Sequence, residues 1–240
     1  MNISQVTRAG RKLLKLKYCG AVIVAAGSAS RMGGIDKVMA PLGGVPMVVR
    51  AVESFQNCGA IREIVVVTRQ DLIVPIMDLC AGMDKVKAVV AGGNSRQESV
   101  KLGLNALSKK VKLAAIHDGA RPLISWQVID RTVRAANSYG AAAPAIPVKD
   151  TIKTVAGGVV QDTPQRSKLY AVQTPQVFDF DLLRGALKKA EQEGAELTDD
   201  CSAVERLGMS VKIVEGDEKN LKVTTPMDLA VAKMLLEEML

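Results

Sequence analysis

Residues 21–37 read Ala21-Val-Ile-Val-Ala-Ala-Gly27-Ser-Ala-Ser-Arg31-Met-Gly-Gly34-Ile-Asp-Lys37. The continuous apolar run Ala21–Ala25 is the pattern of a strand buried on both faces of a parallel sheet. A Gly-rich turn directly after such a strand falls at the carboxyl edge, where α/β sheets bind ligands. Free N–H groups in a turn of this kind can surround an anion, and Arg31 and Lys37 add positive charge. The spacing is not the dinucleotide fingerprint, because no glycine stands two or five residues after Gly27. It is not a Walker A loop either, because no G-K-[ST] is present. Two readings stay open on chemistry alone: a phosphate-holding loop, or a tight strand-to-helix turn carrying two solvated basic side chains.

Outward from this stretch, strand-like and helix-like runs alternate. Ile64–Thr68, Val86–Ala91, Leu113–His117 and Val211–Val214 are short apolar runs that read as strands. Val45–Cys58 reads as a helix with Pro46 in its first turn. Ser95–Leu107 carries Val100, Leu104 and Leu107 on one helical face, and Ser95 and Glu98 have capping-box spacing. Further helices are expected at Asp181–Glu193, around Asp200–Leu207 and at Thr225–Met239, the last with Thr225 as cap, Pro226 at N1 and Asp228 at N3. Such alternation predicts an α/β fold with a doubly wound, mostly parallel sheet and right-handed crossovers. Lys149–Gln173 differs: polar-alternating strands flank Gly157-Gly158, which predicts a β-arm standing off the main sheet. With no internal repeat or linker, residues 19–240 read as one domain with an arm at about 149–173, behind a basic leader, 1–18.

Composition removes several function classes. The hydrophobic fraction of 48% is ample for a core, and three Phe, three Tyr and one Trp make that core aliphatic. No apolar run reaches the roughly 18 residues of a membrane span, so no membrane role is expected. The net charge is +7, but Arg8, Arg11, Lys12, Lys15 and Lys17 supply +5 of it from a leader without acids. The rest is near neutral and lacks a basic stripe with stacking aromatics, which argues against nucleic-acid binding. The leader lacks the apolar segment of a secretory signal and reads as a solvated, partly disordered extension. Cys19, Cys58, Cys80 and Cys201 stand singly, and with one His in the chain no zinc site is expected. Isolated cysteines fit a reducing cytoplasm, where they serve as small core residues.

Seven motifs occur in order. After the first loop come Gly92-Gly93-Asn-Ser-Arg96-Gln-Glu-Ser99-Val100, His117-Asp118-Gly119-Ala120-Arg121-Pro122 and Pro147-Val-Lys-Asp150-Thr151-Ile-Lys153. Gln173-Thr174-Pro175-Gln176-Val-Phe178, Thr198-Asp199-Asp200 and Glu215-Gly216 leading to Asn220-Leu-Lys222-Val-Thr224-Thr225-Pro226 complete the set. Read singly, Gly92-Gly93 is equally a strand-to-helix turn. Asp118 is equally a helix cap or a carboxylate facing a ribose hydroxyl, a polyol or a metal shell. Together they resemble the 2-C-methyl-D-erythritol 4-phosphate cytidylyltransferase family from Gly20 to the C-terminus. Two positions depart from its usual pattern: Asp36 precedes the loop lysine in place of Pro, and Gly119 stands in place of Ala.

The resemblance implies a Rossmann-like nucleotidyltransferase sheet of the nucleotide-diphospho-sugar transferase type. It implies CTP-dependent transfer to a phosphorylated polyol, with pyrophosphate leaving and Mg²⁺ or another divalent cation bound with CTP. Arg31 and Lys37 would be catalytic at the α-phosphate. Ala25, Ala26, Gly27, Gly92, Gly93, Ser99 and Asp118 would bind nucleotide. Asp118, Arg121, Thr151, Arg166, Thr198 and Lys222 would bind the acceptor. A homodimer through the β-arm is implied, with Thr151 and Arg166 acting across it. Ribitol 5-phosphate cytidylyltransferase, with a similar loop and another acceptor, is the neighbouring reading, and a non-catalytic nucleotide-binding module the more distant one.

Overall fold

The computed structural model describes residues 15–27 and 38–239. Arg31, Lys37 and most of the basic leader lie outside them. The elements run β1 Cys19–Val24, β2 Pro41–Leu42, β3 Val45–Pro46, α1 Met47–Gln56, β4 Ile61–Thr68, α2 Ile73–Leu79, β5 Val86–Ala91, α3 Arg96–Ala106 and β6 Leu113–Asp118. They continue as α4 Trp126–Tyr139, β7 Ala141–Pro147, β8 Thr154–Ala156, β9 Val159–Asp162, β10 Tyr170–Val172, β11 Gln176–Asp179, α5 Phe180–Gln192, α6 Asp200–Glu205, β12 Lys212–Glu215 and α7 Pro226–Glu237.

β1 pairs in parallel with both β4 and β6, and β5 extends the parallel run beyond β4. Alternate residues of β1 therefore face opposite sides. Ala21 and Ile23 belong to the cluster that holds Val48, Val52 and Phe55 of α1 and Val128, Ile129 and Val133 of α4. Val22 belongs to the opposite one, with Val100 and Leu104 of α3 and Leu183 and Leu187 of α5. Burying such side chains contributes about 1.5–3 kcal/mol each, which is why the doubly wound arrangement outweighs the entropy of ordering both layers. α7 closes a third cluster, setting Ala232 and Leu236 against Leu42, Met47 and Val223.

The far side of the sheet is mixed. β11 runs antiparallel to β6 and to β7, and β12 lies parallel to β7. Ala142 faces both Val177 and Lys212, and Ala145 both Val172 and Glu215. Hence β10 and β11 follow one edge of β7 while β12 takes the other. β10 thus returns the arm's final residues to the main sheet, and the part that stands away is the β8–β9 hairpin. Its turn glycines have φ of +57° and +78° at Gly157 and Gly158, a conformation that glycine adopts without steric cost.

Local readings shifted in two places. The helix expected from Val45 begins at Met47, because Val45-Pro46 pairs with Pro41-Leu42 across Gly43-Gly44. Pro46 accordingly occupies the N-cap position rather than the first turn. At Ser95 the cap forms, with Ser95 Oγ accepting from the Glu98 N–H at 3.0 Å, but the Glu98 carboxylate reaches past it to the Asn94 N–H at 2.7 Å. Among the leader residues described, Lys17 is docked rather than free, its ammonium 3.0 Å from Asp179 and its N–H on the Asn137 side chain. All four cysteines are buried free thiols.

Candidate active site

Four parallel strands, β5, β4, β1 and β6, end side by side, and their ends are tied together. The Ala25 N–H donates to the Val67 carbonyl at 2.7 Å, the Gly92 N–H to Thr68 at 2.7 Å and the Gly119 N–H to Val24 at 2.9 Å. Above this edge lies a cavity of about 480 Å³, within the range of small-molecule sites. Ala25, Ala26 and Gly27 line it from β1, Gly93 to Arg96 and Ser99 from the β5–α3 turn, Asp118 and Ala120 from the end of β6, and Lys222 and Thr224 from the segment before α7.

Gly92 permits this approach: a Cβ there would stand 2.3 Å from Ala26 Cβ and 2.9 Å from Ser99 Oγ. Buried Ser99 braces the turn, its hydroxyl donating to the Ser95 carbonyl at 2.9 Å and accepting the Gly93 N–H at 3.1 Å. Its side chain therefore shapes the wall more than it offers a free donor. Gly119 also sits close to the first loop, where a Cβ would be 3.1 Å from Ala25 Cβ.

Charge is concentrated at Asp118, whose side chain is 12% exposed. Lys222 Nζ lies 2.7 Å from its Oδ2 and Arg96 Nε 3.5 Å from its Oδ1. Burial pushes the Asp118 carboxyl up, but Arg96 and Lys222 overcome it and hold the group at about 2. It is a carboxylate at any physiological pH. Arg96 in turn donates through Nη2 to Asp200 Oδ2 at 2.7 Å. Beneath Asp118, the neutral His117 ring fixes the loop: its Nδ1 lies 2.9 Å from Thr174 Oγ1 and its Nε2 3.2 Å from the Arg121 carbonyl. The Arg121 carbonyl can only accept, so Nε2 carries the ring proton and Nδ1 accepts from the Thr174 hydroxyl, whose Oγ1 also accepts the Asp118 N–H at 3.1 Å. Burial pulls this imidazole down to about 4, against smaller opposing pulls from Asp118 and the Arg121 carbonyl.

The structure thus brings seven of the expected residues, Ala25, Ala26, Gly27, Gly93, Ser99, Asp118 and Lys222, onto one cavity. Arg121 lies next to it with its N–H on the Asp118 carbonyl and Nη1 on the Asn220 carbonyl at 2.7 Å. Its Nε is buried without a partner among the described residues, and burial lowers its pKa. Thr198 is exposed just before α6. Thr151 and Arg166 are exposed on the arm and do not line the cavity, Arg166 donating to the Lys149 carbonyl at 3.0 Å. Arg96 and Asp200, which the structure adds, stood inside recognised motifs, but their pairing spans 104 positions and leaves no local signal.

A parallel sheet with glycine turns, an ionised Asp and two cations around a nucleotide-sized cavity at its carboxyl edge defines a nucleotide-handling α/β protein. A family model described as 2-C-methyl-D-erythritol 4-phosphate cytidylyltransferase matches residues 19–238. Proteins of that name from Caldanaerobacter subterraneus and Symbiobacterium thermophilum are 43% and 44% identical, over 91% and 90% of this chain and 98% and 92% of theirs. Two solved structures are similar throughout. The 4-diphosphocytidyl-2C-methyl-D-erythritol synthase of Anaerococcus prevotii has TM-score 0.84 and 32% identity, covering 92% of this chain and 96% of that one. The 2-C-methyl-D-erythritol 4-phosphate cytidylyltransferase of Thermus thermophilus has TM-score 0.73 and 31% identity, covering 92% and 99%. The chain belongs to the 2-C-methyl-D-erythritol 4-phosphate cytidylyltransferase family.

Proposed function

We propose that this chain transfers the cytidylyl group of CTP to 2-C-methyl-D-erythritol 4-phosphate, as an enzyme of non-mevalonate isoprenoid synthesis. The observation that carries the reading is the meeting of the Ala25–Gly27 turn, the Gly92-Gly93 turn and the Asp118–Lys222 pair at one cavity. An acceptor phosphate oxygen bonds to the CTP α-phosphorus, the bond from that phosphorus to the bridging oxygen breaks, and pyrophosphate leaves with the electron pair. This chemistry needs in-line placement and positive charge and no protein nucleophile.

In this reading the 25–27 turn holds the nucleotide phosphates, and Arg31 and Lys37, which follow it in the sequence, stabilise the α-phosphate as charge builds. The turn of Gly92 and Gly93, braced by Ser99, reads the base, and Asp118 faces the ribose. Lys222 stands where nucleotide and acceptor meet, and Arg121 holds the acceptor phosphate. Thr198 and, from the arm of a second copy, Thr151 and Arg166 complete the acceptor site. The exposed Val155, Val159 and Val160 of the hairpin support dimerisation through it.

A divalent cation travelling with CTP takes most of its ligands from phosphate and water. Asp118 is the one carboxylate among the described residues lining the cavity, and with its Oδ2 held by Lys222 at 2.7 Å it would offer such a cation Oδ1 alone. Bound there, Mg²⁺ would neutralise phosphate oxygens. No helix among the described residues is long and apolar enough to cross a membrane, and the free cysteines fit a cytoplasmic setting.

Pyrophosphate release with CTP, other nucleoside triphosphates and both methylerythritol and ribitol phosphates tests the assignment. CTP with methylerythritol phosphate should be fastest. Arg31→Ala and Lys37→Ala should each lower kcat by about 10²–10³, and near-normal turnover in either would sink the catalytic role.

A further inference from the structure

Asp200 is the deepest charge near the cavity. Its side chain is 2% exposed, whereas that of Arg96, its partner at 2.7 Å, is 34% exposed. The main chain on the Asp200 side is pinned. The Gln176 Oε1 accepts the N–H groups of both Asp200 and Cys201 at 2.9 and 3.0 Å, and Gln176 Nε2 donates to Asp199 Oδ2 at 2.8 Å. Asp199 in turn caps α6 in a reciprocal capping box with Ser202. Arg96, by contrast, begins α3 and lines the cavity. Its only other partner among the described residues is Asp118, at 3.5 Å through both Nε and Nη2.

Across the cavity wall the charges alternate: Asp200, Arg96, Asp118, Lys222. The short contacts are the two outer ones, 2.7 Å each, and the middle one is long. Without the Asp200 carboxylate, the guanidinium would keep one anionic partner among the described residues, Asp118. A fork closing on it would compete with Lys222 and swing across the nucleotide side of the cavity.

We propose that Asp200 is a positioning residue for the nucleotide: it holds Arg96 against the wall, which leaves Asp118 committed to Lys222 and the cavity open. This rests on the CTP reading of the cavity and adds a residue that does not line it. Burying a carboxylate is costly unless it is paired, so a purely structural ion pair is the competing account. The two differ in what they require of Arg96. Neutralising Asp200 needs one positive charge, whereas holding a fixed wall geometry needs the planar fork that a lysine cannot supply.

The experiment is CTP binding by calorimetry, with steady-state KM and kcat, on Asp200→Asn, Arg96→Met, Arg96→Lys and the Asp200→Asn/Arg96→Met double variant. Asp200→Asn should weaken CTP binding about tenfold, as expected for contacting charged residues, while the acceptor KM changes less than twofold. The double variant should bind CTP no more weakly than Arg96→Met alone. Additive losses in the double variant would overturn the proposal, because Asp200 would then act independently of Arg96. Should Asp200→Asn fail to fold, Arg96→Lys decides: weakened CTP binding supports the proposal, and wild-type binding overturns it. If the wild-type chain binds no CTP, the reading of the cavity itself fails, an outcome separate from an additive cycle.

Discussion

The cavity at the carboxyl edge and the β8–β9 hairpin are built in opposite ways. Around the cavity, charged and polar side chains are held by others from distant parts of the chain: Asp118 by Lys222 and Arg96, Arg96 by Asp200, His117 by Thr174. In the hairpin every residue from Thr154 to Asp162 is exposed, including Val159 at 63%. A two-stranded ribbon alone is marginally stable in water, and an apolar one gains from covering by another surface. The contrast separates a nucleotide side braced within one chain from an arm whose Thr151 and Arg166 lie exposed, where a second copy is proposed to use them.

Between these two regions, the largest expected effect comes from cutting the cavity's central brace. Asp118→Ala leaves Lys222 and Arg96 facing each other without the carboxylate between them. The carboxylate is also the group proposed to face the ribose, and a hydrogen bond to a charged group contributes about 1.5–3 kcal/mol, so kcat/KM for CTP should fall about a hundredfold. A fall under tenfold would mean that the cavity is not cross-braced as described.

Next is an effect of pH on the fold beneath the cavity. His117 is held down at about 4 from an ordinary 6.5 by burial. As pH falls below 6.5 the unfolded chain takes up the proton first. The stability due to the neutral ring is therefore complete above 6.5, declines between 6.5 and 4, and is gone below 4. Over that window the loss is about 3 kcal/mol. Urea unfolding from pH 7 to pH 4 should show this extra slope in the wild type and not in His117→Gln, and equal slopes would refute it.

The smallest effect on the cavity should come from the arm. Val160→Asp should shift the chain from dimer to monomer in light scattering while its CTP dissociation constant stays within twofold. A dimer that survives removes the proposed role of the hairpin, and loss of CTP affinity breaks the separation between the two regions.

Much of the cavity was legible in the residues because its parts are local. A Gly-rich turn after an apolar run lies at a strand end wherever the sheet is parallel, and the α7 start at Thr225-Pro226-Met227-Asp228 forms the capping box that its spacing implies. Less legible was β7, Ala-Ala-Ala-Pro-Ala-Ile-Pro, which has no strong strand propensity. It becomes a strand because β11 and β12 bracket it, and its small side chains suit that crowded position. The helix start at Val45 was misplaced for a similar reason: the Gly43-Gly44 hairpin claims Val45-Pro46 first.

The sheet class, the two glycine turns, the end-of-strand Asp118 and the family resemblance could all be read along the chain, since each rests on contiguous residues. Three features came from the folded molecule alone: Lys222 and Arg96 flank Asp118, Asp200 anchors Arg96, and Ser99 braces a turn rather than presenting a free hydroxyl. An ion pair acts over a few ångströms and depends on burial. Neither distance nor burial is set until strands far apart in the chain are laid side by side.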